Sequence, residues 1–216
     1  MTEPDIAGFW VELASGIYEG RPIDNEFRSL LRISNIPPIT IITHRIETWK
    51  SLADQTWWKE IKDYAQGIFS HPFLTLHGQR GVGKTHLALA IGFEWMARHK
   101  TVLYYRAESL LDKLRDGFST RLQEEQESYH SVMNFAEKAS LFILDDLGGE
   151  KQSDWVAVKL DQIIDTRYIE KRPLIVTTNL TSEGLPPRIA DRLSEGHRIH
   201  IKGESYRKKI NKQACE

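Results

Sequence analysis

The sequence predicts an α/β fold in which a doubly wound parallel sheet of five strands is covered by helices and preceded by a short N-terminal helical segment. Two observations predict it: short apolar segments typical of buried strands recur after residue 72, and segments with helical periodicity lie between them. Strands that alternate with helices form parallel sheets that are covered on both faces. In such folds, binding sites form where the carboxyl ends of the strands meet.

Each element has its own signal along the chain. Short helices are expected before Ile36, because Pro37 and Pro38 cannot continue a helix. Apolar residues at helical intervals predict one or two further helices within residues 46–69. The strands are predicted at Phe73–His77, Thr101–Arg106, Leu141–Asp146, Leu174–Asn179 and Arg198–Lys202. The helices between them are predicted at about Gly83–His99, at 109–139 as a pair broken near Gly117, and at Trp155–Tyr168.

Composition excludes several classes of protein. The 216 residues include 29 basic and 30 acidic side chains, and the net charge of -1 excludes a polycation of the histone kind. The single cysteine, Cys215, excludes an internal disulfide framework and a cysteine-based zinc cluster. The longest apolar run, Leu87–Phe93, is too short to span a bilayer, and the first residues lack a signal-peptide pattern. We therefore expect a cytoplasmic protein without a membrane partner.

The segment after the first strand carries the strongest motif. Residues 78–85 read GQRGVGKT and fit the phosphate-binding pattern G-x-x-x-x-G-K-[ST]. Its glycines let backbone N–H groups surround a phosphate, and the helix that follows directs the positive end of its dipole at the same anion. Lys84 would neutralise the β- and γ-phosphates, and the Thr85 hydroxyl would bind Mg²⁺. The predicted nucleotide-binding residues are Gly78, Gly81, Val82, Gly83, Lys84 and Thr85.

Two acids end the third strand. Taken alone, Asp145 and Asp146 are typical of a solvated turn, but next to a phosphate loop they are the expected second half of the site. Asp145 is predicted to hold Mg²⁺ and Asp146 to orient or deprotonate the attacking water. The same residues also fit the GTPase pattern D-x-x-G. GTP is disfavoured, however, because the only Asn-Lys pair, Asn211-Lys212, is not followed by the base-reading aspartate.

Polar residues beyond the third strand complete the candidate site. Asn179 ends the fourth strand, where its amide could report the γ-phosphate; a lone Asn there is otherwise typical of a turn. Arg188 and Arg192 lie four residues apart on one helical face. Either could reach the γ-phosphate of a neighbouring subunit, although a surface helix with an Arg–Asp pair would look the same.

Several segments in a fixed order carry a family resemblance. They are GQRGVGKT at 78–85, LFILDDLG at 141–148, Trp155 with IIDTRY at 163–168, PLIVTTNL at 173–180, ADRLSEG at 190–196 and Gly203-x-Ser205-x-Arg207. Together they resemble the AAA+ proteins of the DnaC/IstB kind, which are replicative-helicase loaders and ATPase helpers of transposases. The resemblance covers roughly residues 35–210 and implies an ATP-binding, oligomer-forming P-loop fold.

The resemblance also implies roles for individual residues. Walker A falls at 78–85 and Walker B at 141–146, with Asn179 as sensor I and Arg192 as arginine finger, Arg188 lying in the same box. The helices at 109–139 take the place of an insertion that faces single-stranded DNA, with Lys113, Arg115 and Arg121 as phosphate contacts. The chain departs from the family pattern in its Asp146, where Glu is common, in a short N-terminal region without a zinc element, and in too few residues after the fifth strand for a helical lid.

The charge layout suggests how the chain is divided. Residues 1–30 carry six acidic and two basic side chains, a balance of -4, whereas residues 186–216 carry eight basic and four acidic ones, a balance of +4. An acidic segment suits a protein partner better than DNA. We expect a partner-binding segment at 1–35, a helical lead-in at 36–71 and an ATPase core at 72–216.

Three functions remain open at this stage. The leading one is a helicase-loader-like ATPase that assembles on single-stranded DNA, grips a replicative helicase through its N-terminal segment and uses ATP with Mg²⁺. The second is a transposition helper that acts on duplex DNA and recruits a transposase. The third is a nucleotide-dependent adaptor that does not hydrolyse ATP.

Overall fold

A computed structural model describes residues 24–37, 55–119, 123–150 and 153–203, with the side chains of 117–119 and 123–128 left aside. The helices are α1 (Asn25–Ile33), α2 (Trp58–Ala65), α3 (Lys84–Met96), α4 (Ala107–Ser119), α5 (Gln123–Lys138), α6 (Asp154–Ile169) and α7 (Pro187–Ser194). The strands are β1 (Phe73–His77), β2 (Val102–Arg106), β3 (Leu141–Leu147), β4 (Leu174–Thr178) and β5 (His197–His200), and a 3₁₀ turn occupies Ser182–Gly184.

All five strands are parallel, in the order β2-β3-β4-β1-β5. One face of the sheet packs against α1, α2 and α3, and the other packs against α4 to α7. The predicted doubly wound parallel fold is confirmed. In this order β4, which leads to Asn179, lies between β3 and β1. β3 carries the two acids, and β1 precedes the phosphate loop.

The pair of helices predicted within 109–139 is confirmed as α4 and α5. α4 ends at Ser119, two residues past Gly117, and α5 begins at Gln123. A helical glycine costs only about 1 kcal/mol, whereas Leu110, Leu111 and Leu114 of the same helix are buried against the sheet. These leucines lie in the turns before Gly117, so packing holds the helix up to the glycine and the helix continues two residues past it. The predicted strand ends are correct to within two residues, and Arg121 lies outside the described residues.

Residues on the N-terminal side of β1 share the core of the sheet. Trp58 is buried, and the indole of Trp95 on α3 donates to the carbonyl of Tyr64 on α2 at 3.1 Å. Further upstream, the backbone N–H of Tyr104 donates to the Ser34 carbonyl at 2.8 Å, beside the outer edge of β2. Helix α1 and the turn after it are thus packed against the same layer as α3.

Arg167 is a fully buried cation in the second layer. Its guanidinium donates to the carbonyls of Ala136, Glu137 and Ala139 at 2.8 to 3.1 Å, and to that of Pro173. Burial lowers the pKa of Arg167 to about 9, which leaves it charged at neutral pH. The last carbonyls of a helix have no partner within that helix, so Arg167 satisfies the end of α5 and ties it to α6. Within the described residues, no helix is long and apolar enough to cross a membrane.

Candidate nucleotide-binding site

The loop between β1 and α3 is shaped by its glycines. Gly81 and Gly83 have φ of 82° and 98°, a backbone region that residues with a Cβ rarely adopt. Gly78 has φ of 147°, and a Cβ there would overlap the carbonyl oxygen of Ile201. Gly83 precedes α3 without a side-chain cap. The first N–H groups of α3 are therefore left for an anion at the positive end of the helix dipole, while Val82 anchors the loop in the core.

Lys84 folds back over this loop. Its ammonium donates to the carbonyls of Gly78 and Gln79 at 2.9 and 2.8 Å and to Oδ1 of Asn179 at 2.7 Å. Burial lowers the pKa of Lys84, and the carboxylates of Asp146 and Asp145 oppose that shift. The lysine thus links the phosphate loop of β1 directly to the polar end of β4.

Asp145 is buried, with 3% of its surface exposed, and is saturated by hydroxyl groups. Its Oδ1 accepts from Thr85 at 2.7 Å and Thr177 at 2.6 Å, and its Oδ2 accepts from Tyr104 at 3.1 Å. Burial and the neighbouring Asp145 raise the pKa of Tyr104, so this hydroxyl stays a donor. Thr85 and Asp145 fit Mg²⁺, which prefers oxygen ligands and commonly takes one or two from protein and the rest from phosphates and water. No cluster of three metal-binding His, Cys, Asp or Glu residues occurs among the described residues.

Asp146 faces a different environment from its neighbour. Its backbone lies in the left-handed region at φ 57°, at an irregularity in the pairing of β3 with β4. This turns its carboxylate toward the site, where Oδ1 accepts from the Asn179 amide at 2.9 Å and Oδ2 lies 3.6 Å from the Arg106 guanidinium. A third of this side chain is exposed (36%), so water can reach it.

The structure brings together one part of the predicted site and not the other. Lys84, Thr85, Asp145, Asp146 and Asn179 form one hydrogen-bonded group. By contrast, the described contacts of the two arginines on α7 are made with α6 and with the end of α7, not with this group.

Three residues of this site were not predicted from the sequence. Tyr104 and Arg106 come from β2, and Thr177 comes from β4. Arg106 pairs in register with Asp145, so a sequence reading that aligned the carboxyl ends of β2 and β3 could have found it. Thr177 precedes Asn179 by two residues and donates to Asp145, while its oxygen accepts the backbone N–H of Asp146 at 2.9 Å. It therefore fixes both acids relative to β4.

A family model described as IstB-like ATP binding protein matches residues 23–214. The chain belongs to this family of ATP-binding proteins. Among curated relatives, this IstB-like chain is similar to the replicative helicase loader DnaC of Escherichia coli K12, with 30% identity over 139 residues, 62% of the chain and 55% of DnaC. It is also similar to an ATP-binding protein of insertion sequence IS5376 from Geobacillus stearothermophilus, with 34% identity over 140 residues, 60% of the chain and 53% of that protein. The IstB-like chain thus spans about half the length of these relatives.

Solved structures share the fold of this IstB-like protein. The crystal structure of the DnaC helicase loader has a TM-score of 0.62 at 21% identity and covers 74% of the chain and 97% of the DnaC chain. The replication initiator DnaA bound to AMPPCP and single-stranded DNA has a TM-score of 0.65 at 20% identity and covers 80% of the chain and 54% of DnaA. The fold is thus that of the AAA+ P-loop domains, as the sequence predicted.

Proposed function

We propose that this protein binds ATP with Mg²⁺ and hydrolyses it as a helicase-loader-like ATPase that assembles on single-stranded DNA. The observation that carries the proposal is the unbroken series of contacts from Lys84 through Asn179 to Asp146. A phosphate-binding cation, a γ-phosphate sensor and a water-orienting acid are thereby joined at one edge of the sheet. These are the groups that phosphoryl transfer to water needs.

Each group has a separable role in the proposed reaction. The N–H groups of the loop 78–85 and the Lys84 ammonium bind the β- and γ-phosphates. Thr85 and Asp145 would hold Mg²⁺, which would supply positive charge against the phosphate oxygens. Asp146 orients the attacking water and accepts its proton, and Asn179 positions Asp146 relative to Lys84. An arginine of α7 from a neighbouring subunit stabilises the charge that develops on the transferred phosphoryl group.

The proposed partners follow from the relatives. A replicative helicase is the favoured protein partner because DnaC is named as its loader, and single-stranded DNA is favoured because DnaA of the same fold was solved with it. The described basic residues of α4 include Lys113, which lies over the Tyr105 ring, and Arg115, which lies over the Trp155 ring. Both cations are exposed, which suits a phosphate contact. The acidic N-terminal segment 1–35 is proposed to contact the helicase.

A transposition helper is the second candidate. It is supported by the similarity to the IS5376 protein, whose identity to this chain is 34%, compared with 30% for DnaC. The two candidates differ in the DNA that should stimulate ATP turnover: single-stranded for a helicase loader, duplex for a transposition helper. A nucleotide-dependent adaptor would bind ATP without turnover on either.

The test compares wild-type protein with Lys84→Ala and with Lys100→Ala, an exposed lysine just before β2. ATP binding by calorimetry and steady-state turnover are measured without DNA, with single-stranded DNA and with duplex. We expect binding to be lost in Lys84→Ala and retained in Lys100→Ala, and turnover to rise with single-stranded DNA. Unchanged affinity in Lys84→Ala would contradict the phosphate-loop assignment. Stimulation by duplex alone, with recovery of a transposase by the full-length chain, would favour the second candidate.

A further inference from the structure

Two aspartates of α6 face two arginines of α7. Asp161 and Asp165 lie one helical turn apart, as do Arg188 and Arg192. Arg188 contacts Asp161 at 3.0 Å and Asp165 at 3.3 Å, and Arg192 contacts Asp165 at 3.2 Å. Asp165 is therefore shared by both arginines.

The two arginines use different atoms in these contacts. Arg188 engages its two terminal nitrogens, NH1 with Asp161 and NH2 with Asp165. Arg192 instead gives Asp165 its inner nitrogen, Nε, and the described ion pair of its terminal nitrogens is one contact of 4.0 Å from NH1 to Glu195. The end of a guanidinium is the edge that grips a phosphate or carboxylate bidentately. In Arg188 that edge meets two carboxylates within 3.3 Å, whereas in Arg192 it meets the Tyr168 hydroxyl and no described carboxylate closer than 4.0 Å.

The guanidinium of Arg192 is also fixed in orientation. It lies over the ring of Tyr168 at 4.2 Å, a cation–π contact, and the Tyr168 hydroxyl donates to Glu195 at 2.5 Å. Its side chain is 27% exposed, compared with 61% for Arg188. Because Asp165 fixes Nε and Tyr168 fixes the plane, the side chain has already lost much of the freedom that it would lose on binding.

We propose that Asp165 and Tyr168 are positioning residues that orient Arg192. In this orientation Arg192 contacts the terminal phosphate of a nucleotide bound by a second copy of this chain, whereas Arg188 only holds Asp165 in place. This inference rests on the proposed function and goes beyond it by distinguishing the two arginines and by naming what orients the acting one. Neither Asp165 nor Tyr168 touches the nucleotide itself.

The chain offers a matched pair of substitutions. Asp165→Asn removes the carboxylate that orients Arg192. Asp161→Asn is the control: Asp161 lies on the same helix, its side chain is also 22% exposed, and its described ion pair is with Arg188. We expect Asp165→Asn to lower kcat for ATP about tenfold while KM stays within about twofold, because the phosphate loop is unchanged. Asp161→Asn should keep both constants within about twofold of wild type. A second readout is sedimentation velocity with a non-hydrolysable ATP analogue and single-stranded DNA, where only Asp165→Asn should need more protein to assemble.

Mixing separates positioning in trans from a defect within one subunit. Asp165→Asn retains its own nucleotide site, and Lys84→Ala retains a well-oriented Arg192. Mixed oligomers should therefore turn over ATP faster than Asp165→Asn alone, which keeps about a tenth of the wild-type kcat, and faster than Lys84→Ala, which does not bind ATP. A mixture no more active than its components would overturn the inference, as would equal losses in Asp165→Asn and Asp161→Asn.

Alanine substitution of the arginines makes an independent test on side chains outside the buried core. Arg192→Ala should lower turnover about a thousandfold and Arg188→Ala less than about tenfold, and the reverse order would overturn the inference. Tyr168→Phe keeps the ring face and should lose little of the turnover that Tyr168→Leu loses. Wild-type protein without turnover on either DNA would overturn the proposed function and the inference with it. Turnover in wild type that is undiminished in Asp165→Asn would overturn the inference alone.

Discussion

Replacing Arg167 by methionine should destabilise the domain severely. Methionine fills most of the arginine volume but donates no hydrogen bond, so the carbonyls of Ala136, Glu137 and Ala139 would lose this donor. The Pro173 carbonyl would keep the backbone N–H of Phe142 at 3.2 Å. A buried acceptor left without a partner costs about 1–3 kcal/mol. Three of them would cost about 3–9 kcal/mol if nothing relaxed, and partial hydration of the end of α5 keeps the loss in the lower half of that range. We expect a loss of about 4 kcal/mol, a large share of the roughly 5–15 kcal/mol that stabilises a typical domain.

Equilibrium unfolding in urea measures this loss, and Arg172→Met is the matched control. Arg172 also donates to a carbonyl at the end of α5, that of Lys138 at 2.8 Å, but its side chain is 36% exposed and water can replace it. Its loss should cost less than about 1 kcal/mol. A free energy of unfolding for Arg167→Met within about 1 kcal/mol of wild type, or equal losses in the two variants, would refute the reasoning.

Two further predictions concern the edge of the sheet beside the phosphate loop. Burial lowers the pKa of His77, as do the neighbouring His200, Arg198 and Lys84. As pH falls through about 6.5, His77 is therefore protonated in the unfolded chain before it is protonated in the folded one. The free energy of unfolding decreases as a result. Between pH 7.5 and 5, the melting temperature of His77→Gln should fall less than that of wild type or of His130→Gln, which replaces an exposed histidine of α5. An equal fall of melting temperature with pH in His77→Gln and wild type would contradict this role of His77. Gly78→Ala should abolish ATP binding, because its Cβ would overlap Ile201, and a nucleotide titration with wild-type affinity would show that the loop tolerates a side chain there.

The regular part of the molecule could be predicted from the sequence because local chemistry dictates it. Apolar runs such as Leu141–Leu144 have no alternative to burial, and the glycines of the loop 78–85 fit only a tight phosphate-binding turn. Asp145 is buried and the Asp146 side chain is 36% exposed, while their predicted roles toward Mg²⁺ and the attacking water stay predictions.

Features that depend on pairing between distant segments could not be predicted in the same way. The left-handed backbone of Asp146 lies where β3 and β4 lose regular register, and periodicity along one strand does not reveal register. Arg167 looked like one charged residue on an amphipathic helix, and only the approach of the end of α5 makes it a core residue. The partners of Arg188, Asp165 and Asp161, are 23 and 27 residues away on α6 rather than on its own helix.

The packing of α1 has a consequence for self-association. A sheet edge exposes unpaired N–H and C=O groups, on which another chain can add a strand and begin to aggregate. At the β2 edge, the Tyr104 N–H is taken by the Ser34 carbonyl, and the Tyr104 carbonyl accepts from the Asn35 amide at 2.9 Å. At the other edge, β5 is only four residues long and carries the exposed Arg198 and His200. Neither edge therefore favours the addition of a strand, and we expect a second copy to bind through helix surfaces rather than through a sheet edge.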